Sequence, residues 1–414
     1  MRTINSILLV AFLAGCARTY GTSPLPNGST SLSNQPAASQ EPAHYRAYES
    51  IYSFHGQSTG GSPQASLIQH NGILYGTSSS YGRGYGTVFE MTGFGKLRTL
   101  YSFGGYPDGA YPAARLVWFD GALYGTTSAG GAHGGGTVFA INGAGEEHVV
   151  HSFGRAGDGA EPDAGLAVLH GVIYGTTKNG GKHGRGTVFA INRSGQEYVL
   201  HSFAGSPGDG GHPSTALLVY NGELYGTARA GGKNPAGGAA YKIDAFGDVK
   251  LLHSFGVLPN DGSNPAGDLI ALNGELYGTT LHGGDVGRGY GTVFSMTPSG
   301  SEHVLHSFGA GTDGAFPLAG LHFLNGWLYG TTSGGGMSAR KSNQCISFGA
   351  ATYKCGIIFR IDRFGDERVV YRFKGDPDGA NPEAGLTVLD GALYGDTYWG
   401  GTSVYYGTIF RILP

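Results

Sequence analysis

Six aspartates recur at one position of this chain, each directly before a glycine and four residues before a proline. They are Asp108, Asp158, Asp209, Asp261, Asp313 and Asp378. Such regularly spaced carboxylates could bind cations, because hard metal ions prefer oxygen ligands. An Asp before Gly also caps a turn through its own side chain. The same sequence pattern occurs a seventh time with Thr59 in place of the aspartate. The threonine oxygen can also cap a turn, but it is a poor metal ligand. We therefore interpret the six aspartates as turn caps.

Histidines recur at a second position, where other copies carry tyrosine. The histidines are His151, His201, His253 and His306, and the tyrosines are Tyr52, Tyr101 and Tyr371. A metal site would not tolerate this exchange, whereas half-buried packing with one polar tip would. His133 and His183 occupy matching loops and could meet, but two histidines without a further ligand are weak evidence for a metal. We predict no metal site and no cofactor.

These residues belong to a unit that repeats about every 50 residues. The motif Leu/Ile-Tyr-Gly-Thr/Asp places its tyrosine at Tyr75, Tyr124, Tyr174, Tyr225, Tyr277, Tyr329 and Tyr394. A second motif, an apolar run that ends in Phe, places Phe54, Phe103, Phe153, Phe203, Phe255, Phe308 and Phe373. Both motifs occur seven times. The chain also contains 78 glycines, which suits a fold with many tight turns.

Each unit contains four short β signals and leaves no room for helices. In the third unit, residues 164–170 and 172–177 flank the pair His170-Gly171, whose counterparts elsewhere are mostly Asn-Gly or Asp-Gly. Those dipeptides favour type I′ hairpin turns. Residues 186–192 and 196–203 form a second predicted hairpin around Ser194-Gly195. We name these four strands a to d. They predict one blade of a β-propeller per unit.

The phase of the repeat predicts how the ring closes. The chain enters with a lone d-type strand at residues 48–54 and leaves with strands a, b and c, the last ending at Ile412. Joined, these partial units make a seventh blade. We therefore predict an all-β, seven-bladed β-propeller with four antiparallel strands per blade, closed by the N-terminal strand. The competing architectures are a β-solenoid and an eight-bladed ring with one degenerate blade.

The recurring string Gly-Thr-Val-Phe at 136–139, 186–189 and 291–294, together with Leu-Tyr-Gly-Thr-Thr and Asp-Gly-Ala-x-Pro, resembles the GloVer tandem repeat of bacterial extracellular proteins. The resemblance covers nearly all of residues 48–414. Two blades depart from it, with Gly238-Ala239-Ala240-Tyr241 and Gly356-Ile357-Ile358-Phe359. The resemblance implies the repeat architecture and export, and it carries no known activity.

Strand order predicts which face of the propeller binds ligands. The a–b and c–d turns are minimal and share one face, which we call the turn face; the longer b–c and d–a loops share the loop face, where binding usually occurs. Symmetry breaks at a long b–c insertion at about 333–354 in blade 6 and at the aromatic loops of blades 7 and 1. The predicted ligand-binding residues are Tyr81, Arg83, Tyr85, Arg340, Tyr398, Trp399, Tyr405 and Tyr406. The alternative is that these aromatics only fill gaps around glycine-rich loops.

The N-terminal segment is typical of an exported lipoprotein. Residues 1–16 combine Arg2, a short apolar run and Leu13-Ala14-Gly15-Cys16, which resembles a lipobox with Cys16 as the lipidated residue. The alternative is an ordinary signal peptide. Residues 17–45 have the composition of a flexible tether, and residues 46–414 form the propeller. In an oxidising compartment Cys345 and Cys355 would form a disulfide, the alternative being two free thiols. Ala17, in place of Asp, favours the outer membrane.

The expected function is that of a non-catalytic envelope lipoprotein that binds a glycan or a protein. The formal net charge is −3 and no basic run occurs, so we expect no nucleic-acid partner. We expect a monomer that contacts the membrane only through its lipid. A lyase or hydrolase with its site in one irregular loop, and a purely structural component, remain alternatives. An axial pocket lined by unlike ionisable residues would favour an enzyme, and a shallow aromatic surface would favour a binding module.

Overall fold

Seven four-stranded antiparallel sheets form a seven-bladed β-propeller, as predicted, in the computed structural model of the chain. The structure describes residues 46–244, 246–285, 289–309, 311–336, 355–402 and 405–414. Neither a solenoid nor an eighth blade is present among these residues. They also contain no helix long and apolar enough to cross a membrane. The one helix described is the single 3-10 turn Gln57–Thr59.

The strands of each blade pair in the order a, b, c, d from the axis outward. Strands a are Ile68–His70, Val117–Phe119, Ala167–Leu169, Leu218–Tyr220, Ile270–Leu272, His322–Leu324 and Thr387–Leu389. Strands b are Ile73–Ser78, Ala122–Thr127, Val172–Thr177, Glu223–Ala228, Glu275–Gly283, Trp327–Thr332 and Ala392–Thr397. Strands c are Thr87–Thr92, Thr137–Asn142, Thr187–Ile191, Ala239–Ile243, Thr292–Met296, Ile357–Ile361 and Thr408–Leu413. Strands d are Leu97–Ser102, Glu147–Ser152, Glu197–Ser202, Val249–Ser254, Glu302–Ser307 and Glu367–Arg372, with Arg46–Ser53 in blade 7.

The a–b turns have the conformation that their sequences predict. Both central residues take positive φ in all seven blades, for example Asn71 at 50° and Gly72 at 79°. Positive φ at both positions defines the type I′ turn and matches the twist of the flanking strands. Strand a is shorter than predicted in blade 3, where only Ala167–Leu169 pairs. The preceding residues bend instead along the wall of the central axis.

The N-terminal strand closes the ring. Strand Arg46–Ser53 pairs antiparallel with the last strand, Thr408–Leu413, with Glu49 opposite Arg411. A guanidinium nitrogen of Arg411 lies 2.7 Å from the Glu49 carboxylate. The first strand therefore becomes strand d of blade 7, and the predicted closure is confirmed.

Adjacent blades are joined by one recurring aromatic contact. The phenylalanine that follows each strand d meets the ring of strand c in the next blade, with ring centroids 4.9–5.5 Å apart. The glycine of Leu-Tyr-Gly in strand b lies against that same strand c ring. An added Cβ at Gly175, for example, would overlap the ring of Phe189. Each interblade core therefore requires an aromatic residue on strand c and a glycine on strand b.

The long loops share one face of the ring, as predicted. In blades 2 to 6 the d–a loop forms short antiparallel pairs with the b–c loop or the end of strand b, for example Gly109–Ala110 with Ala129–Gly130. These bridges tie neighbouring loops together on a rigid scaffold.

Replacing Gly175 with alanine tests the aromatic contact. We expect Gly175→Ala to lower the free energy of unfolding by about 1–3 kcal/mol, because the new methyl group overlaps Phe189 in a closely packed core. The control is Gly143→Ala in a c–d turn, where an added Cβ meets nothing within 4 Å, so we expect a change within about 0.5 kcal/mol. Urea unfolding followed by circular dichroism measures both. Equal losses in the two variants would contradict this packing account.

A circular permutant tests the ring closure. Pro414 is joined to Arg46 by a short Asn-Gly linker and new termini are opened at Gly95, in the c–d turn of blade 1. We expect the permutant to fold cooperatively, because the linker only completes the seventh c–d hairpin. A chain that lacks residues 46–53 should instead lose cooperative thermal unfolding, because blade 7 then exposes an unpaired strand edge. A truncated chain as stable as the parent would show that closure is dispensable.

Candidate functional site

The predicted aromatic residues of blades 7 and 1 do meet across the ring closure. Tyr81, in the b–c loop of blade 1, contacts Tyr406 of blade 7 edge to face, with ring centroids 4.8 Å apart. The two residues are 325 positions apart in the chain. Arg83 lies between Tyr81 and Tyr85 in the same loop and is exposed. The structure therefore brings these predicted site residues together on the loop face.

The aromatic surface continues into blade 2 through a residue that sequence reasoning missed. Tyr85 approaches Tyr111, in the d–a loop that leads into blade 2, with ring centroids 6.1 Å apart. Tyr81 and Tyr85 are each 38% exposed, Tyr111 is 43% exposed and Tyr405 is 58% exposed. We call Tyr405, Tyr406, Tyr81, Tyr85 and Tyr111 the aromatic arc. Its rings offer contact area to a ligand.

Trp399 and Tyr398 support the arc rather than form its surface. Trp399 is half-buried against the core of blade 7, and its backbone pairs with Ala380. It contacts Tyr398 at 4.5 Å and Tyr405 at 6.3 Å between ring centroids. Arg340, Cys345 and Cys16 lie outside the described residues, so their predicted roles and the Cys345–Cys355 disulfide stay predictions. Cys355 itself is buried at the start of strand c in blade 6.

A ring of strained residues borders the arc. In every blade the residue before the repeat proline has φ between 54° and 60°: Ser62, Tyr111, Glu161, His212, Asn264, Phe316 and Asn381. A side chain in the left-handed region costs roughly 1–2 kcal/mol, and glycine would remove this cost. All seven blades nevertheless carry a side chain there, of a different type in most of them. Strained backbone positions of this kind cluster at active sites and ligand-binding sites.

The next residues in the chain line a cavity on the ring axis, which sequence reasoning did not identify. Its volume is about 110 Å³, and all seven blades contribute to its wall. The residue after the repeat proline is, in blade order, Gln64, Ala113, Asp163, Ser214, Ala266, Leu318 and Glu383. Burial raises the pKa of Glu383 to about 7 and that of Asp163 to about 6. The cavity is therefore lined by unlike ionisable residues, the feature that favours the enzyme alternative, but its volume is well below the roughly 300–1,000 Å³ of a usual small-ligand pocket.

An ion pair crosses the axis below this layer. The guanidinium of Arg115, in blade 2, lies 4.0 Å from the carboxylate of Asp268, in blade 5. Asp268 also accepts a hydrogen bond from the backbone N–H of Ala216. Both charged residues line the cavity described above. They also line a second cavity of about 420 Å³, which lies toward the turn face and includes His322 in its wall. The Arg115–Asp268 pair therefore lies where the linings of the two cavities meet.

Asp396, in strand b of blade 7, is an unusual acidic residue. It is 1% exposed, and neither carboxylate oxygen has a hydrogen-bond partner among the described residues. Burial, and then the charge of Glu383, raise its pKa well above the ordinary value. In the other six blades a threonine occupies this position. The repeat motif allows either Thr or Asp at this position, so the sequence pattern did not single out Asp396.

The recurring aspartates cap their turns, as predicted, and the recurring histidines contact these aspartates. The Asp108 carboxylate accepts hydrogen bonds from the backbone N–H groups of Gly104 and Gly109 and so caps the turn. His201 lies 2.9 Å from Asp209, and in another blade the hydroxyl of Tyr101 donates to Asp108 at 3.0 Å. Tyrosine and histidine therefore make the same contact to the capping aspartate.

Three of these contacts also include a glutamate from the next blade. The groups are His151 with Asp158 and Glu197, His253 with Asp261 and Glu302, and His306 with Asp313 and Glu367, each with donor atoms within 4.8 Å. Such a set could hold a metal ion. Glu147 stands in the same relation to Tyr101 and Asp108, where a phenol replaces the imidazole. That replacement favours a structural contact between blades.

Comparisons with known proteins were made in sequence and in structure. The family model described as the Gloeobacter/Verrucomicrobia repeat matches residues 40–172 and 155–342. No curated protein matches the chain in sequence. Similar folds include the extracellular domain of a protein assigned to a hybrid two-component system of B. thetaiotaomicron, with a TM-score of 0.53 and 11% identity over 85% of this chain and 40% of that one.

A protein assigned as a 6-phosphogluconolactonase from Bacteroides uniformis has a TM-score of 0.50 and 15% identity over 78% of this chain and 88% of that one. A gluconolactonase from Xanthomonas campestris has a TM-score of 0.42 and 13% identity, over 87% of this chain and 97% of that one. At such low identities the resemblance concerns the fold alone.

The glutamates between blades predict a pH-dependent stability. Burial, and then the neighbouring aspartate, raise the pKa of Glu147, Glu197, Glu302 and Glu367 to about 7, from an ordinary value near 4.5. A raised pKa in the folded state stabilises the protein below pH 4.5, and this contribution is lost as the pH rises through 7. We expect the thermal midpoint to fall between pH 5 and pH 8. Glu302→Gln should flatten that slope, whereas the exposed Glu146→Gln should not. Equal slopes in parent and Glu302→Gln would contradict the prediction.

Proposed function

Because the chain belongs to the Gloeobacter/Verrucomicrobia repeat family, we propose that it is an exported β-propeller that binds a glycan of the cell envelope on its loop face. The aromatic arc is the observation that carries this proposal. Its tyrosines present ring faces and phenol hydroxyls side by side, and such rigid amphipathic side chains are favoured in recognition surfaces. A sugar presents both C–H faces and hydroxyls, so it fits a surface of this kind.

Polar groups elsewhere on the loop face add hydrogen-bonding positions for a hydroxyl-rich ligand. Tyr111 belongs to the ring of strained residues, and that ring also supplies Glu161, His212 and two asparagines. Tyr111 stands two residues before Ala113 in the wall of the axial cavity. Aromatic contacts that supply area, with a few placed polar groups that supply orientation, are the usual composition of a small-ligand site.

The direction of the chain supports an outward-facing site. Strand Arg46–Ser53 runs from the turn face toward the loop face, since it pairs with the C-terminal end of the last strand at Arg46. The chain therefore enters the propeller at the turn face, opposite the loop face that carries the aromatic arc. We propose that Cys16 carries lipid and that the protein is anchored to the outer membrane. Because residue 46 lies at the turn face, the start of the propeller does not obstruct the loop face.

A paired variant tests the glycan proposal. We expect Tyr81→Ala combined with Tyr405→Ala to weaken binding to envelope polysaccharide at least about tenfold, because truncation of central aromatic contacts commonly costs 1–2 kcal/mol or more. The matched control is Phe94→Ala on the turn face, which removes an aromatic side chain that is 92% exposed. Retention on immobilised polysaccharide and a glycan array provide the measurements.

Three outcomes would overturn the proposal. If all variants bind polysaccharide equally, the arc is not the site. If the parent protein is retained only by envelope proteins and still after the glycans are destroyed with periodate, the ligand is a protein. If the parent is retained by nothing, the propeller has a structural role.

A further inference from the structure

Asp396 replaces a hydroxyl that helps to join neighbouring blades. The equivalent threonines in the other blades are Thr77, Thr126, Thr176, Thr227, Thr279 and Thr331. Four of them donate to a backbone carbonyl of the next blade at 3.0–3.4 Å. A carboxylate has no proton to donate, so Asp396 cannot make this bond in its charged form. The charged form, which a bound cation would require, therefore lacks this contact at the junction of blades 7 and 1, whereas the protonated form can still donate it.

The burial of Asp396 adds a further cost. An ionised carboxylate without hydrogen bonds or a counter-charge is strongly disfavoured inside a protein. Both of its oxygens lack a hydrogen-bond partner among the described residues, and the nearest charge acting on it is that of another acid, Glu383. Six blades show that the fold accepts threonine here. A buried acid at this one place therefore indicates a requirement other than folding.

Two further oxygen donors line the axial cavity, and the charge of one of them acts on the buried Asp396. Glu383 follows the repeat proline of blade 7, and Gln64 occupies the same place in blade 1. The side chains of Gln64 and Glu383 both line the cavity, and the Gln64 amide acts to lower the pKa of Glu383 against the larger effect of burial. Ring closure alone brings residue 64 next to residues 383 and 396. The cavity has room for a small ion and a few water molecules.

We propose that Asp396, Glu383 and Gln64 bind a divalent cation of the oxygen-preferring class, Ca²⁺ or Mg²⁺, at the junction of blades 7 and 1. Two carboxylates and an amide oxygen are the ligands that such hard cations favour. A cation supplies the counter-charge that Asp396 lacks, and it ties the first and last blades together in place of the missing hydrogen bond. This site does not depend on glycan binding by the aromatic arc.

Calorimetric titration of the full chain with CaCl₂ and MgCl₂ tests the site, with thermal unfolding in chelator and in cation as a second measurement. We expect one more bound ion in the parent protein than in Asp396→Thr, and a rise in the thermal midpoint of about 2 °C or more at saturating cation. Comparison of the two salts identifies the preferred ion. The histidine-containing groups between other blades favour softer metals. Titration with Ca²⁺ and Mg²⁺ therefore reports mainly on the proposed site.

The choice of variants separates binding from folding. Asp396→Thr restores the residue of the other six blades, so it should fold, unfold at a higher temperature than the parent in chelator, and show no cation response. Glu383→Gln should weaken cation binding at least tenfold. The control is Asp268→Asn, which removes an equal charge from the same cavity but from a carboxylate already held by Arg115; its cation response should match that of the parent.

Two results would overturn the proposal. In the first, the parent protein shows no heat of binding and no change in thermal midpoint at millimolar Ca²⁺ or Mg²⁺. The burial of Asp396 and Glu383 would then be explained by protonation of these carboxyl groups rather than by a bound cation. The second is a cation response in Asp396→Thr equal to that of the parent, which would place the ion elsewhere.

Discussion

The structure depends on one contact, repeated seven times: an aromatic ring of strand c held between the phenylalanine of the preceding blade and a glycine of its own sheet. The ring fills the space between sheets, and the glycine lets it approach the backbone. Because each contact joins two blades, the seven together set the angle between neighbours and so the number of blades that closes the circle. Close packing leaves little freedom for substitution at these positions.

This repetition confines function to places that the packing does not use. The loops on one face and the residues around the axis are where the seven units differ. At the axis, Asp163, Glu383 and the Arg115–Asp268 pair give neighbouring blades different charges. On the loop face, one backbone position in the left-handed region carries a tyrosine, a glutamate, a histidine or a phenylalanine. A uniform scaffold therefore presents a non-uniform surface.

The periodicity of the chain was sufficient to predict the blade number, the type I′ turns, the closing strand and the meeting of Tyr81 with Tyr406, because these follow from local patterns and a count. The distance of a residue from the ring axis, and therefore its burial, could not be predicted in the same way. Asp163 and Glu383 lie in loop-like stretches, and they are buried by blades that are hundreds of residues away in the chain. For Trp399 the prediction was wrong in the opposite direction. Its aromatic neighbours in the sequence suggested an exposed side chain, but contacts with the core of blade 7 half-bury it. Asp396 was hidden by a motif that grouped it with threonine.

The pairing of the first strand with the last has a consequence for biogenesis. Synthesis produces strand Arg46–Ser53 first among the described strands, yet its partner Thr408–Leu413 is the last of them to be made. The hydrogen-bonding edge of the first strand stays unsatisfied until the last strand has been made, and a product that lacks the last strand keeps two open edges of the kind that invite aggregation or proteolysis. The architecture thus acts as a check on completeness, since only a full-length polypeptide can hide both of its ends.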